Sequence, residues 1–271
     1  MTLDDIFRKL WEIYTSQNPE VQKVYNLFSS EGEIVENDHI AFRTLNDKRI
    51  NIDVLARVFI ENGYEYINSY EFKDKHLFAK HFEHKSLEKA PRIFISELKL
   101  EEFDDEFKFI MADLVDKISE EKIKSDELIF SGNLWGKPSF ETYNKLREKS
   151  EYAAWFYVFG FCANHFTVSV NHLKKYDTLQ KVNVLLKNNG FELNTSGGEI
   201  KGTPEELLEQ SSIKSGLIEI DFVEGKYEIP GCYYEFAKRY PDASGNLYSG
   251  FIAKSADKIF ESTDFYKKEG K

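Results

Sequence analysis

Two of the six histidines stand at the head of strand-like runs, in Asp38-His39-Ile40-Ala41-Phe42 and Asn164-His165-Phe166-Thr167-Val168. A third polar group, Glu235, sits between Tyr233, Tyr234 and Phe236, where a lone carboxylate carries a heavy desolvation cost unless a cation or donor meets it. Two neutral imidazoles and one carboxylate on one side of an ion leave adjacent coordination positions open, which suits non-haem iron(II) taking a 2-oxo acid and dioxygen. His39, His165 and Glu235 are the expected metal ligands and Fe(2+) the expected cofactor. The same three ligands around zinc or nickel would instead serve a glyoxalase-like isomerase or lyase acting without oxygen. A non-catalytic small-molecule-binding module is the third reading.

Strand alternation puts Ala41 and Arg43 on the His39 face, so Arg43 is expected in the same cavity, with a guanidinium able to grip a carboxylate through two parallel bonds. In the second run the equivalent face carries Thr167 and Ser169, small hydroxyl residues that leave room for substrate and offer hydrogen bonds. His76, His81 and His84 cluster as well, but Lys80, Glu83 and Lys85 around them predict a solvated strand or turn. His172 lies in a polar stretch and is not expected to be a ligand.

The elements that must position these residues repeat. Each His-headed strand is followed by an amphipathic helix, with Ile52, Leu55, Val58 and Phe59 on one face in the first case and Leu179, Val182, Leu185 and Leu186 in the second. Asn62-Gly63 and Asn189-Gly190 stop the two helices, and the His39-to-Gly63 and His165-to-Gly190 spacings agree to within one residue. Each repeat closes on an aromatic strand with one acidic residue, which makes Glu97 and Glu235 candidate equivalents, with Glu97 read as an acceptor that orients an imidazole from behind or as a plain salt-bridge residue in preference to a fourth ligand. The expected fold is α+β: two βαβββ-type modules forming a mostly antiparallel half-barrel around a metal, as one two-module domain over 1–271. Within it, 1–30 reads as a helical N-terminal segment, 31–100 as the first module, 101–162 as a helical connection, 163–240 as the second module and 241–271 as a C-terminal helical segment.

Composition narrows the function classes. A formal net charge of −11, with Lys and Arg interspersed among Asp and Glu, argues against a nucleic-acid partner and against docking on an anionic membrane. If the substrate is an anion, a local cation must attract it, and Arg43 is that cation. Cys162 and Cys232 are the only cysteines, too few for a disulfide framework. The N-terminal residues lack a signal-peptide pattern and the apolar run from Tyr152 is short for a membrane span, so a cytoplasmic location is expected. No phosphate-binding loop or nucleophile elbow is present.

The stretches DHIAFRT (38–44), ANHFTVSV (163–170), IPGCYYEFAKR (229–239) and KIFEST (258–263) resemble the 2-oxoadipate dioxygenase/decarboxylase family, across nearly the whole chain. That family is similar to the vicinal oxygen chelate superfamily and to hydroxyphenylpyruvate dioxygenase. The resemblance implies a metal triad at His39, His165 and Glu235 and a substrate-binding Arg43. It also implies an iron(II) enzyme that converts 2-oxoadipate and dioxygen to 2-hydroxyglutarate and carbon dioxide in lysine breakdown. By analogy the segment around Ile259 and Phe260 would close over the metal.

Overall fold

The computed structural model describes residues 1–260. Two helices open the chain, α1 (Leu3–Gln17) and α2 (Pro19–Ser30), hinged at Asn18, whose side chain donates to the Tyr14 carbonyl and accepts from the Cys232 amide. The first module follows: β1 (Asn37–Leu45), α3 (Ile52–Glu61), β2 (Tyr64–Phe72), β3 (Leu77–His84) and β4 (Arg92–Leu98). A helical connection holds α4 (Asp105–Asp116), α5 (Glu120–Lys124), α6 (Phe140–Lys149) and α7 (Glu151–Phe159). The second module contains β5 (Ala163–Ser169), α8 (Leu179–Asn188), β6 (Lys201–Thr203), β7 (Leu208–Ser212), β8 (Leu217–Phe222), β9 (Gly225–Pro230) and β10 (Glu235–Arg239), and α9 (Ala253–Phe260) comes last.

Eight strands form one sheet in the order β2-β3-β4-β1-β5-β10-β7-β6. The order is nearly palindromic about the β1–β5 seam. β1 pairs in parallel with β4, β5 in parallel with β10, and the two modules meet antiparallel along β1 and β5. This is the expected α+β half-barrel. The expected stop signals are used as such: Gly63 and Gly190 adopt φ of 96° and 84°, which side-chain-bearing residues rarely do. One addition was not legible in the pattern, the β8–β9 hairpin, which forms its own two-stranded sheet between β7 and β10.

Helices cover the outer face of the sheet. Trp11 and Tyr14 of α1 pack on Phe166 of β5, at centroid distances of 5.1 and 5.0 Å, and Phe59 of α3 packs on Phe42 of β1 at 5.6 Å. β1 and β5 are therefore buried on both faces and read as nearly continuous buried runs. The apolar run from Tyr152 becomes α7, buried all round, followed by the start of β5. Among the described residues no helix is long and apolar enough to cross a membrane.

Gly160 joins α7 to β5 with φ of 63°, and a Cβ there would lie 2.3 Å from the Gly132 carbonyl oxygen. The flanking bonds, Gly132 N–H to the Phe161 carbonyl at 2.8 Å and Phe161 N–H to the Gly132 carbonyl at 3.1 Å, leave that oxygen no freedom to retreat. Gly160→Ala should therefore destabilise the protein by roughly 2–4 kcal/mol, read as a lowered denaturant midpoint. An unchanged midpoint would show that this junction does not set the position of β5.

Candidate metal centre

The inner face of the sheet collects the chemistry. Antiparallel pairing places His39 opposite Thr167 and Ala41 opposite His165, while Glu235 lies beside Thr167 on the far side of β5. Three adjacent strands thus point one donor each at one spot. His165 Nε2 lies 3.4 Å from His39 Nε2 and 3.2 Å from Glu235 Oε2, and His39 Nε2 lies 3.7 Å from Glu235 Oε1. All three side chains are buried, and their donor atoms fall within 4.8 Å of one another.

Register irregularities aim the imidazoles. Between Asn37 and His39, β1 has one residue more than β5, which makes Asp38 a bulge; between Ala41 and Phe42, β5 has one more, Asn164. A bulge turns a side chain out of strict alternation. Asp38 Oδ1 accordingly reaches His39 Nδ1 at 2.8 Å, and Asn164 Oδ1 reaches His165 Nδ1 at 3.1 Å. With each Nδ1–H given to an oxygen, the Nε2 lone pair of each ring faces the centre.

Electrostatics agree with this tautomer. Burial works to raise the Asp38 carboxyl, but the charge of Arg239 and the bonds from His39 and Arg239 overcome it and hold it well below the usual carboxylate range. Burial lowers His39 although Asp38 pulls the other way, and burial, with the charges of His39 and Arg43 added, lowers His165 well below the ordinary imidazole range. Both rings are neutral at neutral pH. Burial pushes Glu235 up to about 8, with the bond from Gln210 Nε2 to its Oε1 working against it. A carboxyl so placed needs a cation beside it to ionise at neutral pH.

Phe94, Phe251 and Ile259 close the remaining side, leaving a cavity of about 20 Å³. Arg43 is buried farther along the β1 face, 4.9 Å from the ring centroids of both Tyr152 and Trp155. These rings hold the guanidinium without using its N–H groups, and Nε and Nη1 have no hydrogen-bond partner among the described residues. Tyr233 stacks on His165 at 4.7 Å, and its buried hydroxyl likewise has no partner among the described residues.

Several sequence expectations need correction. Glu97 is not the counterpart of Glu235. In the parallel pairings Ala41 faces Phe94 and Thr167 faces Glu235, so Phe94 occupies the equivalent place. Glu97, an odd number of residues farther on, emerges on the opposite face, where its Oε2 accepts the Ile52 amide at 3.0 Å. It orients the start of α3 and no imidazole. Of the two hydroxyl residues, Thr167 Oγ1 lies 3.0 Å from His39 Nε2, but Ser169 Oγ is bonded to His172 Nδ1 at 2.9 Å. His81 is buried completely, bonded to the Tyr70 hydroxyl and beside Phe251. Residues 231–234 precede β10 and lie outside it, and residues 261–263 of the KIFEST stretch lie outside the described residues. Asp38, Asn164, Gln210 and Arg239 escaped sequence reasoning. An acceptor directly before each histidine was the available signal for the first two.

Residues 6–245 match the family described as 2-oxoadipate dioxygenase/decarboxylase. The chain belongs to this family. A curated rice (Oryza sativa subsp. japonica) 2-oxoadipate dioxygenase/decarboxylase, named chloroplastic/amyloplastic, is 33% identical over 96% of this chain and 79% of its own length. The crystal structure of hydroxyglutarate synthase in complex with 2-oxoadipate from Oryza sativa superposes with a TM-score of 0.90 at 32% identity, covering 96% of this chain and 91% of that one. A crystal structure from Shewanella frigidimarina, carrying a hydrolase name, is 45% identical with a TM-score of 0.87, covering 92% and 97% of the two chains. As a member of the 2-oxoadipate dioxygenase/decarboxylase family the protein is an enzyme, and its buried His-His-Glu triad could hold a metal ion.

Proposed function

We propose that this enzyme uses iron(II), held by His39, His165 and Glu235, to convert 2-oxoadipate and dioxygen to 2-hydroxyglutarate and carbon dioxide, a step of lysine breakdown. The observation that carries the reading is the pairing of a converged, buried two-His, one-carboxylate set with a buried Arg43 whose Nε and Nη1 donors are unspent among the described residues. The donor set fits the ion, because both imidazoles are neutral and turned Nε2-inward and because, among the described residues, no Lys or Arg forms an ion pair with Glu235.

Bound there, iron(II) would supply coordination positions for a 2-oxo acid and dioxygen and the electrons for oxygen activation. The chain's own residues do the rest. Arg43 donates to the distal carboxylate of the diacid, held in place by Tyr152 and Trp155, whose rings keep its fork fixed and dry. Gln210 holds one oxygen of Glu235, and Asp38 and Asn164 hold the two imidazoles. Phe94, Phe251 and Ile259 keep bulk water from the reacting atoms.

Anaerobic loading with iron(II), followed by an oxygen-electrode assay with 2-oxoadipate, tests the reading. Dioxygen uptake, carbon dioxide release and 2-hydroxyglutarate should be equimolar. Turnover that proceeds equally well without dioxygen would favour metal-assisted isomerisation, lysis or hydrolysis instead.

Metal uptake should release protons with a defined pH dependence. Glu235, held up to about 8, must lose its proton to become a ligand, whereas both imidazoles are pushed down and bring none to displace. Apparent affinity should therefore rise up to about tenfold per pH unit from pH 6 to 7 and level off above about 8. Proton release in weakly buffered solution checks this. Affinity that is flat over this range would show Glu235 already ionised or not bound to the ion.

A further inference from the structure

We infer that Arg239 is a positioning residue that couples the metal ligand His39 to the chain at residues 248–251, so that imidazole orientation and the seating of that segment stabilise each other. The inference rests on His39 being a ligand, as proposed above. Arg239 ends β10 and is buried. One side of its guanidinium takes both oxygens of Asp38, Nε to Oδ2 at 2.7 Å and Nη2 to Oδ1 at 2.8 Å. The other side, through Nη1, donates to the carbonyls of Tyr248 at 2.9 Å and Gly250 at 2.8 Å. Asp38 Oδ1 is also the atom that accepts from His39 Nδ1. One planar cation therefore bonds both the carboxylate that orients the imidazole and the backbone that carries Phe251.

Phe251 completes the circuit. Its ring lies 5.2 Å under the Arg239 guanidinium and meets the His39 ring edge-on at 4.8 Å, and its amide donates to the Tyr70 hydroxyl at 3.1 Å. The cavity beneath it has room for about one water-sized group, far less than a six-carbon diacid. Substrate must therefore displace part of this wall. If residues 248–251 lift away, Arg239 loses two buried acceptors, a loss worth a reorientation of the guanidinium, and its hold on Asp38 changes with it. Conversely, an ion that fixes His39 restricts Asp38 and Arg239 and so favours the seated segment; coupling of this kind is reciprocal. Lys cannot replace Arg here, since a single ammonium cannot span a carboxylate on one side and two carbonyls on the other. Arg92 Nη1, 3.6 Å from Asp38 Oδ2, places a second positive charge beside that carboxylate.

Cobalt(II), an air-stable stand-in for iron(II) at nitrogen and oxygen donors, makes the test independent of turnover. Equilibrium dialysis gives its affinity, and subtilisin cleavage in the exposed turn 241–246 gives the seating of the segment. In the wild-type enzyme cobalt(II) should slow cleavage at least about threefold, and His39→Ala should abolish the effect. R239K should bind cobalt(II) about 10–100-fold more weakly and lose the protection. Asp38→Asn, which keeps Arg239 but weakens its hold on residue 38, should lose protection by metal and be cleaved faster than wild type without metal, and serves if R239K does not fold. Wild-type cobalt(II) affinity and protection in either folded variant would overturn the coupling alone. Failure of the wild type to bind cobalt(II) through His39 would overturn the metal assignment together with it.

Discussion

His165→Ala is expected to lose its bound metal and to turn over 2-oxoadipate at least about 10³-fold more slowly, while remaining folded. A site with one imidazole and one carboxylate lacks the third donor of the buried set, and Lewis-acid stabilisation worth several kcal/mol leaves with the ion, at about 1.4 kcal/mol per tenfold in rate. The fold should survive because the β1–β5 seam is built from backbone pairing and from Ile40, Phe42 and Phe166 on the outer face, none of which the substitution touches. Metal content by elemental analysis, circular dichroism and oxygen uptake together decide the matter. A folded variant that keeps both stoichiometric metal and activity would remove His165 from the ligand set.

Arg43→Met should raise KM for 2-oxoadipate by about 10²–10³, from the loss of charge-assisted hydrogen bonds worth roughly 1.5–3 kcal/mol each. The discriminating comparison is a 2-oxo monocarboxylate of equal chain length. It offers Arg43 no carboxylate, so its KM should change little between wild type and variant. Arg43→Lys should fall between the two, because the ammonium keeps the charge and loses the paired donors. Thermal stability should not drop, since the replaced guanidinium is buried with two donors unpaired and the thioether suits the space between Tyr152 and Trp155. Equal losses for the two substrates would show that Arg43 supports the site as a whole and does not read the distal carboxylate.

Both experiments bear on residues that could be picked out in the linear chain, and there is a physical reason why these and not others could be. His39 and His165 head strands of two modules that keep the same punctuation, and Gly63 and Gly190 mark both helix ends because the required φ excludes most other residues. Arg43 follows His39 by strict alternation, a property of two residues on one strand. Glu97 shows where such reasoning stops. Its run resembles that of Glu235, but β10 begins only at Glu235 after an irregular stretch, and an odd offset in register sends a side chain through to the other face. His81 looks solvated among Lys80 and Glu83 and is buried because Tyr70, on the neighbouring strand, and Phe251, remote in sequence, cover it.

The amino-acid sequence determined the two-module half-barrel, the three converging side chains His39, His165 and Glu235 and the cation on the His39 strand, because each depends on periodicity or on chemistry carried by a few neighbouring residues. Tertiary structure alone decided what orients them: the bulges at Asp38 and Asn164, the hold of Gln210 on Glu235, and the contact of Arg239 with an Asp38 far away in the chain. Hydrogen bonds of that kind depend on strand register and on distances closed by folding, and no local pattern of residue types encodes either.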